Sequence, residues 1–174
     1  MAINAPKIIN PLTERKAKEL YDRALSLFLV SDFYRKAPSK LSKDFNIKIV
    51  VSNRMFSCAG KASVARIKLN ARLLGTVSDA IQYNTVSHEL AHVIAFNLYR
   101  KSGHGTTWQL IHQAMGGTAE RCHDMDVTGL CRRQPLHLIK RVHDGKLFKV
   151  KTRTANKVRR HPGYQYIGLV ETTP

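Results

Sequence analysis

Between Asp79 and Tyr99 the chain runs without a proline or glycine, with apolar side chains at Ile81, Val86, Leu90, Val93, Ile94 and Leu98. That spacing predicts a long, buried α-helix. Inside it stands His88-Glu89-Leu90-Ala91-His92. Residues four apart lie on one helical face a turn apart, so both imidazoles can address a single metal ion, with Glu89 placed to touch a metal-bound water. A chain of this composition produces the pattern by chance roughly 0.01 times. The bland alternative, a solvated helix face with satisfied histidines, therefore explains it weakly.

A catalytic zinc takes three protein ligands and keeps one position for water. A third ligand has to come from elsewhere. The extension that supplies it in metzincins fails, because Ala95 and Leu98 stand where a glycine and a histidine are needed. His104, between Gly103 and Gly105 just after the helix, has a backbone free enough to fold its ring back. Glu120 and His112 are the fallback ligands.

Around this helix the pattern is mixed. Ala17, Leu20, Tyr21, Ala24, Leu27 and Phe28 predict one amphipathic helix over Thr13–Arg35. Phe45–Val51 and Ser63–Leu69 alternate and are β-branched, which predicts two strands and suggests an antiparallel pair. Ser102-Gly-His-Gly105 breaks the long helix, and Thr106–Met115 restarts a shorter one that Gly116-Gly117 ends. The order defines an α+β domain. After Cys131 the character changes. Leu136–Val142 and Lys146–Val150 are strand-like about the turn signal His143-Asp144-Gly145, and Tyr164–Val170 offers a third strand.

Charge is the other departure from the ordinary. Lys and Arg number 29 against 12 Asp and Glu, a net +17, which sets a positive potential over a chain of 174 residues and attracts polyanions. Residues 132–174 carry eleven Lys and Arg against Asp144 and Glu171, a net +9. Lys151, Arg153, Lys157, Arg159 and Arg160 are the expected nucleic-acid contacts, and with no base-reading motif the binding should be nonspecific. The three cysteines, Cys58, Cys122 and Cys131, form no Cys-x-x-Cys pair, which argues against a disulfide framework. No apolar stretch approaches the roughly 20 residues of a membrane span, so no membrane partner is expected. The amino terminus lacks the apolar core of a secretory signal, and a cytoplasmic, non-secreted protein is the expectation.

Taken together, His88-Glu-Leu-Ala-His92, Gly103-His104-Gly105-Thr-Thr-Trp108 and Arg121-Cys-His-Asp124 resemble the SprT-like zinc metalloproteases, the family that includes bacterial SprT and eukaryotic Spartan. Ala62–Leu74, with Arg66-Ile-Lys-Leu-Asn70, also looks like the strand before the active-site helix in bacterial members. The resemblance covers Thr13 to Asp126. It implies a zincin-like core over residues 1–131: a long N-terminal helix, a small antiparallel sheet, the His-Glu-x-x-His helix and a following helix. It implies one zinc on His88, His92 and His104, Glu89 as catalytic acid/base, and proteins attached to DNA, single-stranded or junction-containing, as the setting of its substrates. Bacterial members commonly end in a zinc ribbon with paired cysteines. Here the matching segments hold His137, Leu138 and Ile139 on one side and Tyr166, Ile167 and Leu169 on the other, so residues 132–174 are expected to be a basic β-hairpin extension without the second zinc.

The resulting expectation is an endopeptidase that hydrolyses peptide bonds with a metal-activated water. His123, His112, Arg121 and Tyr83 are the candidates to steady the transition state. A substrate strand is expected to add to the edge of Ser63–Leu69. The rival is a basic nucleic-acid-binding protein with a structural zinc and no protease activity. The retained Glu89 counts against it, since a structural metal needs no adjacent base.

Overall fold

Thr13 starts the first helix by accepting a hydrogen bond from the Lys16 amide (3.1 Å), which satisfies one of the orphan donors at a helix start. The computed structural model describes residues 7–42, 45–55, 58–120, 125 and 135–170. Helix α1, Glu14–Val30, buries Ala17, Tyr21, Ala24 and Phe28, one residue per turn along one stripe. The single helix expected over Thr13–Arg35 is in fact two. Ser31 interrupts it: its hydroxyl donates to the Phe28 carbonyl (2.6 Å) and accepts from the Tyr34 amide (3.2 Å), opening the short α2, Asp32–Arg35. A serine hydroxyl competes with the backbone for such bonds, which periodicity does not register.

The first sheet contains β1 (Lys48–Ser52), β2 (Gly60–Ser63) and β3 (Arg66–Asn70) in the order β1-β3-β2. Two expectations are corrected here. Ser63–Leu69 is not one strand, because the chain turns at Val64-Ala65 and folds β2 back on β3, pairing Ser63 with Arg66 and Gly60 with Leu69. The pair expected to be antiparallel is parallel, Lys48 aligning with Arg66 and Ser52 with Asn70. The unforeseen hairpin is the cause: its turn reverses the chain once more and sends β3 along β1. Ile67 and Leu69 point into the core while Arg66 on β3 stays exposed. Asn70 closes the strand, donating to the Cys58 carbonyl (3.0 Å) and accepting from the Leu73 amide (3.2 Å) to cap α3, Ala71–Leu74.

Helix α4 spans Asp79–Tyr99, the bounds that its sequence pattern predicts. Its first turn is tied to the N-terminal segment through Asn10, which donates to the Asp79 carboxylate (2.9 Å) and to the Val77 carbonyl (3.1 Å) and accepts from Lys16 Nζ (2.7 Å). The buried Gln82 amide donates to the carbonyls of Asn10 and Leu74. Helix α5, Thr106–Ala114, turns Trp108, Ile111 and His112 inward. Tyr21, Phe28, Ile67, Leu69, Leu90, Ile94, Trp108 and Ile111 form the centre of the core. Each large side chain of this kind contributes roughly 1.5–3 kcal/mol by leaving water.

The chain divides into two compact units, Asn4–Cys131 and one containing Arg132–Pro174. In the second, β4 (Leu136–Arg141) lies between β5 (Leu147–Lys151) and β6 (Tyr164–Val170), antiparallel to both. A bulge between Leu138 and Ile139 shifts the β4–β6 register. Helix α6, Thr152–Val158, is an addition to the expected strands, and its Ala155 is buried with Ile139 and His137. His137 is clasped between the Tyr166 hydroxyl on Nδ1 and Thr152 Oγ1 on Nε2, both at 3.0 Å. Polar atoms inside so small a core require partners of this kind.

Candidate metal centre

His88 and His92 leave α4 one turn apart, with ring centroids 5.1 Å from each other. The helix ends at Arg100, which takes the left-handed conformation (φ 53°), and Gly103 (φ 80°) completes the reversal. The loop thereby returns His104 over the helix. Its Nε2 lies 3.0 Å from His88 Nε2 and 3.1 Å from His92 Nε2. Three imidazole nitrogens on a tetrahedral zinc, each about 2.0–2.1 Å from the ion, would stand about 3.3 Å apart. The donor set and its convergence therefore fit zinc within a few tenths of an ångström. Burial, then the neighbouring His104 and His112, lower the His92 pKa to about 4, which favours the neutral ring that a metal needs.

Trp108 is the floor of this arrangement. Its buried indole lies edge-on to His88 and to His104, each at 4.6 Å between centroids, and 5.4 Å from His92. The indole N–H donates to the His88 carbonyl (3.3 Å), fixing α5 against the turn that holds the first histidine. Rigid aromatic packing of this sort limits the rotamers open to the three rings.

Glu89 points from α4 toward β2 and is buried. Burial raises its pKa to about 7, partly offset by a hydrogen bond from the Ala62 backbone. Room for it exists because residue 60 has no side chain. Beside these residues opens a cavity of about 680 Å³, bounded by β2, the histidine face of α4 and the 101–104 loop. The sheet order leaves β2 at the edge next to it, with the central β3 paired on both sides. Among the described residues, the sheet edge open to an added strand beside the cavity is thus that of Gly60–Ser63, and not of Ser63–Leu69 as expected.

The model of the SprT-like family matches residues 27–129, more than half of the chain. The chain belongs to the SprT-like family. It is 32% identical to Protein SprT of Pasteurella multocida over 115 residues, which is 58% of this chain and 70% of that one. It is 33% identical to Protein SprT of Pseudomonas fluorescens over 106 residues, 56% of this chain and 63% of that one, a little under two thirds. The family match contains every residue of the histidine centre and ends before the strands of the second unit. Among the described residues of this SprT-like chain, no helix is long and apolar enough to cross a membrane.

The other expected site residues have different places. His112, a fallback ligand and candidate stabiliser, is fully buried with both ring nitrogens engaged. Nδ1 accepts from the Ala119 amide (3.2 Å), so Nε2 carries the proton and donates to Ser87 Oγ (3.0 Å), which donates in turn to the Asn84 carbonyl (3.0 Å). Burial lowers its pKa to about 4, in keeping with a neutral packed ring. The Tyr83 hydroxyl donates to the Met115 carbonyl (2.5 Å) and its ring lies under Arg23, away from the cavity lining. Glu120 lines the cavity, outside the group of three histidines. Arg121 and His123 lie outside the described residues. Lys151, Arg153, Lys157, Arg159 and Arg160 are exposed on or beside α6, with the Arg159 guanidinium 4.0 Å over the Tyr166 ring. Gly60, Ala62 and Ser87, which position Glu89 and brace His112, carry no sequence signal of that role. Trp108 stands inside a recognisable motif, but only the structure gives it one.

Proposed function

We propose that this SprT-like protein is a zinc-dependent endopeptidase with a zincin-like core. The observation that carries the reading is the convergence of three imidazole nitrogens beside a buried carboxylate and an unpaired strand edge. His88, His92 and His104 would hold the ion. Bound there, zinc would polarise the scissile carbonyl and make a water molecule acidic enough to attack at neutral pH. Glu89 takes the proton of the attacking water on its carboxylate and passes it to the leaving amine, so no covalent intermediate with the protein is needed. The β2 edge aligns the substrate as an added strand, using main-chain bonds that read little side-chain sequence. Arg121 and His123 stay the candidates to steady the oxyanion.

The basic second unit serves, in this reading, to hold the enzyme near DNA and so near DNA-associated proteins. Its net +9 and the exposed lysines and arginines around α6 support this, since phosphate contacts give affinity without sequence preference. On the resemblance to bacterial members, that unit would correspond to their zinc ribbon, with the His137 clasp in place of a second metal.

The test is incubation of zinc-loaded protein with an unstructured protein substrate, with and without single-stranded DNA, beside Glu89→Gln. Cleavage by the parent and a loss of about 10² or more in the variant, with zinc retained, is the expected result. Equal cleavage by both refutes the role of Glu89. Inactivity of both on every substrate, DNA-bound ones included, favours a nucleic-acid-binding protein with a structural zinc.

A further inference from the structure

The cleft beside the histidines has two electrically different ends. Glu89 meets β2 at Gly60 and Ala62, while Asn97, two turns later on α4, donates to the Val64 carbonyl (3.5 Å). Strand and helix therefore run alongside each other in the same direction. At the far end of the helix the cavity is lined by Lys101, and Lys61, on β2 between the two residues that meet Glu89, is the other cation of the described lining. At the near end, beside Asn84, it is lined by Glu120. Glu89 and Glu120 are the carboxylates of the described lining, and Glu89 is committed to the reaction.

The segment that delivers Glu120 is built with care. Gly117 donates to the His112 carbonyl (2.9 Å), and a Cβ at Gly117 would fall 2.0 Å from His112 Nε2, so the chain passes against that ring only as glycine. The Thr118 amide donates to Asn84 Oδ1 (3.0 Å), and the Ala119 amide to His112 Nδ1 (3.2 Å). Ala119 is held at φ 59°, a conformation that costs a non-glycine residue energy and persists only where surroundings impose it. The Glu120 amide is then within 3.4 Å of Thr118 Oγ1. A surface carboxylate with no purpose in the cleft needs no such mooring. Among the described residues Glu120 forms no ion pair.

We propose that Glu120 is a specificity-determining residue that selects a lysine or arginine side chain of the substrate. The inference rests on the endopeptidase reading and adds the substrate class to it. Asn84 precedes Glu89 by five residues, about 7.5 Å along a helix, a distance that an extended peptide covers in about two residues. The selected basic side chain therefore lies about two positions from the bond that is cut. Lys101 at the other end disfavours a basic residue there, so the charge preference is confined to one side of the cut.

The experiment uses the full, zinc-loaded chain and unstructured peptides that differ only in a single Lys, Gln or Glu, scanned through each position around one cleavage site. Rates are read by mass spectrometry. Binding is read separately, by fluorescence anisotropy, on zinc-loaded Glu89→Gln protein with the same peptides. At one position the Lys peptide should be preferred over Gln about fivefold, and Glu disfavoured about fivefold, the size expected of a solvated ion pair. Glu120→Lys should invert the order, with the Glu peptide now restored, and Glu120→Gln should erase it, each with zinc content unchanged. If parent and Glu120→Lys discriminate alike, the proposal is overturned. Loss of zinc in Glu120→Gln overturns it too, because the carboxylate would then serve the metal. If no peptide is cut by any protein, the endopeptidase reading fails and binding alone decides: Glu120-dependent preference for Lys upholds the selection, and equal binding of Lys and Glu peptides ends it.

Discussion

The Glu89 side chain fills the place where a side chain at Gly60 would begin: a Cβ there would lie 2.6 Å from Glu89 Cγ and Oε1 and 2.9 Å from Cδ. The two residues come from different elements, an edge strand and the helix that bears His88 and His92, and their fit sets where the carboxylate can stand. Gly60→Ala should therefore push Glu89 off its position without disturbing the histidines, which face another direction from the helix. Zinc content should stay at one per chain, while peptide cleavage falls about tenfold or more, as expected when a proton-transferring group is misplaced by about an ångström. Unchanged cleavage in a zinc-replete Gly60→Ala protein would show that the carboxylate has room to spare.

His104 and His112 should separate cleanly. His104→Ala removes a converging nitrogen, so zinc content of the purified protein should fall well below one per chain. Stability measured in chelator should change little. His112→Ala should do the reverse, keeping zinc but losing roughly 2–4 kcal/mol, because it opens a cavity and leaves the Ala119 amide without its acceptor. Zinc analysis and denaturant melts on both variants check this. A His112→Ala protein that loses zinc and keeps its stability would reverse the two roles.

The contrast between these histidines also shows what was legible beforehand. His88, Glu89 and His92 declare themselves because a helix converts a spacing of four into a shared face, and α4 contains no proline or glycine to spoil it. His104 was reachable through its flanking glycines, since a metal needs a third ligand. His112 and Trp108 obey the same helical periodicity as core residues, and nothing in one dimension separates a histidine that packs from one that ligates. The sheet departs from its sequence pattern for a related reason. Residues 60–70 alternate without a strong turn residue at Val64-Ala65, so the hairpin that makes β2 an edge strand left no mark, and with it went the parallel pairing of β1 and β3.

Acid should expose the tie between the N-terminal segment and α4. The hydrogen bonds of Lys16 and then Asn10 to the Asp79 carboxylate hold its pKa below the ordinary value of 3.8. A carboxyl whose folded pKa is depressed contributes stability that is present above its unfolded pKa and lost as pH falls through the folded one. Melting temperatures in chelator should therefore decline below about pH 4 in the parent. Asp79→Asn should start lower at neutral pH and decline less steeply over the same acid range. Parallel pH curves for the two proteins would show that the contact contributes nothing to folding.

The last prediction concerns the exposed cations around α6. Phosphate neutralisation releases condensed counterions, so single-stranded DNA binding should weaken with salt along a log–log slope of about −0.7 per phosphate contacted. Replacing Lys151, Arg153, Lys157, Arg159 and Arg160 by Gln should flatten that slope and lower affinity similarly for unrelated sequences, because such charges meet the backbone and not the base edges. Arg159 also lies over the Tyr166 ring, so the variant's circular dichroism and melting should be compared with the parent's before its binding is read. Zinc content should not change, since His88, His92 and His104 belong to the other compact unit. Cleavage of a free, unstructured peptide should not change either, whereas any stimulation by DNA should shrink with the affinity. A folded five-site variant that binds DNA as tightly as the parent at physiological salt would make this surface a solvated face and would remove the strongest support for DNA-directed proteolysis.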